Sequence, residues 1–236
     1  MQMLGGVLAA AIVVVVVAIV VSSSGGSKSA LAPTSAAAKQ QATAVNSLLA
    51  GIPQSGVTLG SPTAKVTVTE YGDLECPVCQ EFALTSENQL IQNDVRSGKV
   101  KLVYRSLETA THNGPNASMW VPQQAAANAA GAQGKAWNYI ELFYHEQGDE
   151  TTSYVSQSYL EGLAQQIPGL SYSAWQSARQ SSSYASQVVA DGHTAKALRF
   201  NSTPTIVVQG PKGQAQPIVG VPSSYAGLES VINLVS

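Results

Sequence analysis

The sequence predicts an α/β domain whose sheet is interrupted by a block of helices, with one membrane-spanning helix ahead of it. Three observations carry that prediction. Val66 to Ser106 reads as strand, helix, strand, the order of a βαβ unit with parallel neighbours. From Val121 to Leu198 the apolar residues recur at helical spacing, and a strand pattern returns only at Thr205. Leu4 to Val21 is almost unbroken Ala, Val, Ile and Leu without a charge, about 18 residues, which at a helical rise is close to the hydrocarbon thickness of a bilayer.

Each element follows in order. The absence of a basic side chain in Met1-Gln2-Met3 favours an uncleaved signal-anchor for residues 1–21, although Ser22-Ser23-Ser24 offers small residues to a signal peptidase. Lys28 follows the apolar segment and weakly opposes an orientation with the domain outside. Residues 22–55 read as a linker: Ser22 to Ser35 is rich in Ser, Gly, Ala and Pro, and Ser35 to Ala50 forms a short helix that Gly51 stops. The domain proper is residues 56–236, with a short strand at Gly56–Gly60, strands at Val66–Tyr71 and Lys99–Ser106, and a helix from Gln80 to Gln92 between them. The helical block occupies about residues 110–199: Val121 to Gly134 continuing through Trp137 and Phe143, then Ser153–Gln166, Ser173–Gln180 and Ser183–Leu198, with Pro168-Gly169 as a break. Thr205–Val208, an edge strand at Pro217–Gly220 and a helix from Ser223 to Val235 close the chain.

Cys76-Pro77-Val78-Cys79 contains the only two cysteines of the 236 residues. No third cysteine exists to build a scaffold disulfide, and the pair falls at a strand-to-helix junction. Free backbone N–H groups and the positive end of the helix stabilise a thiolate there. Pro77 fits the first turn, where its missing N–H has no partner to lose. Cys79, one turn on, can resolve a mixed disulfide formed at Cys76, which should be exposed. Two plainer readings compete. The cysteines could be buried structural residues, or two ligands of a zinc site completed by His112, His145 or His193; those histidines lie far apart without paired spacing. Redox chemistry explains the placement best, with the cysteine pair as the redox-active group, no cofactor and no metal.

Composition excludes other classes. Charged residues are 11% of the chain and the net charge is −2, with no basic stripe, so a nucleic-acid role has little support. Solubility rests on Ser, Thr, Gln and Asn.

Together these parts resemble the DsbA-like branch of the thioredoxin superfamily over roughly residues 56–236. Gly72-Asp73-Leu74-Glu75-Cys76-Pro77-Val78-Cys79 is similar to that family's active-site strand end. Gly131-Ala132-Gln133-Gly134-Lys135-Ala136-Trp137 is similar to the start of its inserted helices, and Phe200-Asn201-Ser202-Thr203-Pro204-Thr205 to the loop that carries a cis proline beside the disulfide. The resemblance implies a thioredoxin-like fold with an inserted α-helical subdomain, preceded here by the N-terminal transmembrane helix. It implies that Thr203 and Pro204 face Cys76 and pair with an extended substrate. It also implies that Glu70, six residues before Cys76, is a buried acid exchanging a proton with Cys79; alternation alone leaves open which face of the strand Glu70 occupies.

Val78 departs from the pattern, since strongly oxidising DsbA enzymes carry His before the second cysteine. CxxC cysteines span pKa values of about 3.5 to 7, and a neutral Val78 places Cys76 in the upper half. Thr203 before the proline points the same way, toward a mild oxidant. The expected function is therefore an extracytoplasmic, single-pass, membrane-anchored thiol–disulfide oxidoreductase that donates the Cys76–Cys79 disulfide to cysteine-containing substrate proteins. By family analogy a quinone-linked membrane protein reoxidises it. A reductase or isomerase with the same dithiol chemistry is the enzymatic alternative; a non-catalytic Cu(I) carrier using the two thiols is the alternative of another class.

Overall fold

The computed structural model describes residues 35–236. Residues 1–21, where the sequence suggests a membrane anchor, lie outside them; among the described residues no helix is long and apolar enough to cross a membrane. Helix α1 (Ala36–Leu49) begins where Ser35 accepts the Ala38 N–H at 3.0 Å. It buries Ala38, Ala42, Val45 and Leu49, the last three in the main core, and packs against the helical block. Arg96 holds its far end, donating to the Leu48 and Ala50 carbonyls at 2.6 and 2.8 Å. The short helix read as part of the linker is thus docked on the domain.

Where one strand at 56–60 was expected, the chain makes a hairpin, β1 (Gln54–Ser55) and β2 (Thr58–Leu59). Gly56 opens its turn with φ 53°. Its backbone lies so close to Gly131 that a Cβ there would sit 2.8 Å from the Gly56 carbonyl oxygen. Strand β3 (Val66–Gly72) follows, and then a continuous helix α2 over residues 77–95, α-helical at Pro77–Phe82 and Asn88–Leu90 with π-helical turns at Ala83–Glu87 and Ile91–Val95. Strand β4 (Val100–Ser106) returns parallel to β3, as the strand–helix–strand order predicts.

The helical block holds α3 (Trp120–Gly131), α4 (Ala136–Glu146), α5 (Gln157–Gln166), α6 (Tyr172–Ala178) and α7 (Ser182–Ala197). The helix expected to continue from Val121 past Trp137 is instead two, because the chain turns at 132–135 and the Lys135 N–H closes on the Ala130 carbonyl at 3.0 Å. Large aromatics fill the block, and three of them have their polar atoms satisfied: Trp137 donates to Val57, Trp175 to Ala126 and Tyr139 to Leu160. The serine-rich composition has a local use, for Ser156, Ser171 and Ser181 cap three of these helices. Strand β5 (Thr205–Gly210) then pairs antiparallel with β3, and β6 (Gly213–Gln214) and β7 (Ile218–Val219) pair with β5. Helix α8 (Tyr225–Val235), capped by Ser224, packs back on β5. Strand β3 therefore lies between β4 and β5 in the middle of the sheet, order β1-β2-β4-β3-β5-β6. Its end delivers the two cysteines.

Candidate active site

Cys76 is the residue that caps α2, extended at φ −73° and ψ 119°, with Pro77 opening the helix. The Cys76 N–H turns back to the Asp73 carbonyl at 3.0 Å, while its carbonyl accepts the Gln80 N–H at 3.1 Å. The buried Asp73 carboxylate ties this corner to the segment after β4. It accepts from the Thr109 and Thr111 N–H groups at 2.9 Å each, from the Thr111 hydroxyl at 2.5 Å and from the Glu75 N–H at 3.1 Å. From the opposite side Gln147, at the end of α4, reaches the carbonyls of Leu74 and Cys76.

The Thr203–Pro204 peptide is cis and leads into β5. The Cys76 thiol points at the Thr203 carbonyl, 3.6 Å away, and the Thr203 hydroxyl shares a 2.5 Å hydrogen bond with that of Thr109. The structure thus brings together Cys76, Cys79, Pro77, Val78, Thr203 and Pro204, as read from the sequence. One expectation is corrected. Cys76 is not exposed: it retains 5% accessibility and Cys79 none. The covering Thr203 loop arrives from 127 residues away in the chain, so no local pattern announces it. The exposed groups at the rim are Pro77 and Val78.

Both cysteines are free thiols, and their environments separate them. Cys76 is pushed down to about 7, chiefly by a hydrogen bond from Cys79, against the cost of burial, with help from the Thr203 side chain and the N–H groups of Cys79 and Val78. Cys79 is driven well above its ordinary value by burial first, then by Cys76 and the charge of Glu70. The arrangement gives one sulfur that ionises near neutrality and one that holds its proton.

Glu70 faces inward on β3, fully buried, and is raised to about 8 by burial first, then by the charges of Glu141 and Cys76; Tyr144 and Cys79 oppose the shift. Gly72, two residues on, admits no side chain: a Cβ would sit 2.8 Å from a Glu70 carboxyl oxygen and 3.1 Å from the Tyr104 hydroxyl. Sequence reasoning missed Gln147, Thr109, Asp73, Glu87 and Glu141. Glu141 alone left a signal, as the single charge inside the buried stretch 136–144. Of the three histidines weighed for zinc, His112 pairs with Glu108 at 3.7 Å; among the described residues no group of three or more His, Cys, Asp or Glu side chains could hold a metal ion.

A family model described as Thioredoxin matches residues 53–233. The chain belongs to the thioredoxin family. Disulfide bond formation protein D of Bacillus subtilis is 25% identical over 170 residues, 69% of this chain and 72% of that protein. Among solved structures, oxidised BdbD from Bacillus subtilis superposes with a TM-score of 0.62 at 20% identity, covering 77% of this chain and 95% of that one. Pseudomonas aeruginosa DsbA2 gives 0.59 at 22% identity, covering 79% and 97%. The thioredoxin-family member described here is a DsbA-like thiol–disulfide oxidoreductase, with the helical insertion of that branch between β4 and β5.

Proposed function

We propose that this protein donates its Cys76–Cys79 disulfide to cysteine-containing substrate proteins on the extracytoplasmic side of a membrane. The observation that carries the reading is that Cys76 caps α2 against the cis Thr203–Pro204 loop with Cys79 fully buried one turn on, an arrangement that draws Cys76 down to about 7 and drives Cys79 up. A substrate thiolate attacks the Cys76 sulfur, the less covered of the two. The Cys76–Cys79 bond breaks, and Cys79 leaves with the electron pair and takes a proton, which Glu70 can supply. A second substrate thiolate then attacks the substrate sulfur of the mixed disulfide and expels Cys76 as a thiolate. The substrate pair has lost two electrons and the protein pair has gained them. Stabilising the expelled Cys76 thiolate favours the reduced protein and makes its disulfide oxidising.

Thr203 and Pro204 form the wall along which an extended substrate would lie, and Pro77 and Val78 are exposed where it would approach. A thiol oxidant is useful outside the reducing cytosol, which fits an uncharged apolar segment at residues 4–21 tethering the domain. Reoxidation by a quinone-linked membrane protein completes the cycle by family analogy. The test is the reduction potential of the pair at pH 7 against glutathione. A value near those of disulfide-forming oxidants, about −120 to −180 mV, supports donation. A value near thioredoxin's, about −270 mV, would reverse the direction and make the protein a reductase.

A further inference from the structure

Beside Glu70, the acid next to Cys79, lie two further carboxylic acids, Glu87 and Glu141, to which the exchange described above assigns no part. Glu70 comes from β3, Glu87 from the π-helical turn of α2 and Glu141 from α4; each is fully buried. None of their six carboxyl oxygens makes a hydrogen bond of good geometry, but Tyr144 and Cys79 lie close enough to Glu70, and Glu70 to Glu87, to shift one another's protonation. Two buried hydroxyls, Tyr104 and Tyr144, also make no hydrogen bond of good geometry, though each lies near the other and Tyr144 near Glu70. Tyr104 stands opposite Glu70 in the β3–β4 register, and the Gly72 gap places its hydroxyl and the Glu70 carboxyl against the same point. The turn Ala83–Glu87 packs on α4, which brings Glu87 toward Glu141.

No cation answers them. The ion pairs among the described residues are Lys99–Asp94, Arg105–Asp191 and His112–Glu108, all elsewhere. The groups facing the cluster are Cys79 and Cys76 from α2, Tyr104 from β4, Tyr144 from α4 and the three acids themselves. His145, also on α4, is shifted by burial alone. From α8, which packs on the same turn, Tyr225 faces Asp94 and Glu229 instead. Neighbouring carboxylates buried away from solvent cannot all ionise readily, because each new charge meets the last one poorly screened.

We propose that Glu70, Glu87 and Glu141 hold their protons as one unit, in which Glu87 and Glu141 set the pH at which Glu70 exchanges a proton with Cys79. This rests on Cys79 being the thiol that leaves and returns during exchange. When the disulfide accepts two electrons from substrate thiolates, Cys79 takes a proton from Glu70 and the unit refills from solvent. When Cys79 attacks again, its proton goes back. Glu87 and Glu141 touch no reacting sulfur; they are positioning residues acting through Glu70. The directions agree: the charge of Glu141 raises Glu70, and those of Glu70 and Glu141 raise Glu87. If the acids were inert filling, each would be neutral at every working pH and uncoupled from the sulfurs.

The test is a carbon-13 NMR titration of glutamate carboxyls in the full chain, kept soluble in detergent, in its dithiol and disulfide forms. The three acids should titrate as coupled steps above the ordinary carboxylate range, with midpoints that differ between the two forms. Glu87→Gln and Glu141→Gln should each lower the Glu70 midpoint by about one pH unit, the size that marks coupled sites. The pH profile for release of glutathione from a Cys76–glutathione mixed disulfide, driven by Cys79, should shift with it. An unmoved Glu70 midpoint in both variants overturns the proposal. Should neither variant fold, the unmodified protein decides: carboxyl midpoints identical in dithiol and disulfide forms overturn it equally. Neither readout uses a protein substrate, so failure here leaves disulfide donation standing, and a reductase-like potential leaves the coupling standing.

Discussion

The side-chain amide of Gln147 lies 2.7 Å from the carbonyl oxygen of Leu74 and is buried with it. Through this bond the last residue of the α4 cap fixes the corner that presents Cys76, and a second contact at 3.2 Å reaches the Cys76 carbonyl itself. The Cys76 carbonyl also accepts from Gln80. The helical insertion therefore bears directly on the redox corner. Gln147→Leu should strand the Leu74 carbonyl in the interior and cost about 2 kcal/mol of stability, read by urea unfolding of the dithiol form. An unchanged urea midpoint would show that another group takes over the carbonyl.

The asymmetry of the two sulfurs sets their reactivity. Near pH 7 about half of Cys76 is thiolate while Cys79 keeps its proton. Iodoacetamide should modify Cys76 first, Cys76→Ala should abolish mixed disulfides with substrates, and Cys79→Ala should accumulate them. Peptide mapping that finds Cys79 alkylated ahead of Cys76 would reverse the assigned roles.

Val78 is 39% exposed, so a histidine there is accommodated without repacking. Val78→His adds a donor and a partial positive charge near Cys76 and should bring its pKa below about 7. Each unit of that drop stabilises the reduced form by about 1.4 kcal/mol, or raises the potential by about 30 mV. Thiolate absorbance against pH, with a glutathione equilibrium, reads both quantities.

The buried acids give stability a pH slope with a definite sign. Glu70 and Glu141 are raised to about 8, and Glu75 and Glu146 to about 7, from an ordinary 4.5, by burial first in each case. Between those limits the folded chain binds more protons than the unfolded one, so stability is full below about pH 4.5 and falls as pH rises toward 8. Each group contributes up to about 1.4 kcal/mol per pH unit in that window. Urea midpoints should be higher at pH 5 than at pH 8, and Glu141→Gln should flatten the profile. A midpoint that rises with pH would contradict burial of these acids in the neutral form.

Much of this was legible in the chain. The βαβ order, the strand after Thr203-Pro204 and the short helix that begins after Ser35 all follow from local signals, and the structure has them. Two short motifs marked Cys76, Cys79, Thr203 and Pro204 in the sequence, and the fold sets the Cys76 thiol 3.6 Å from the Thr203 carbonyl. What was not legible depends on partners distant in sequence. Asp73 meets Thr109 across 36 positions, Gln147 meets Leu74 across 73, and Thr109 meets Thr203 across 94. No periodicity encodes such pairs. The cover over Cys76 escaped for the same reason, whereas the split between α3 and α4 had a local signal in Gly134, whose φ is 65°, that the apolar spacing resuming at Ala136–Trp137 obscured.

The Cys76 thiolate is favoured chiefly by a thiol, a hydroxyl and two backbone N–H groups, none of them a charged side chain. Mobile ions screen interactions between separated charges over about 10 Å at 0.1 M ionic strength; they have little grip on donors in direct contact with the sulfur. The alkylation rate of Cys76 at pH 7 should therefore change less than about twofold between low salt and 1 M potassium chloride. Val78→His, which introduces a true charge pair, should bring salt dependence with it. A redox pair tuned in this way keeps its potential where ionic strength swings widely.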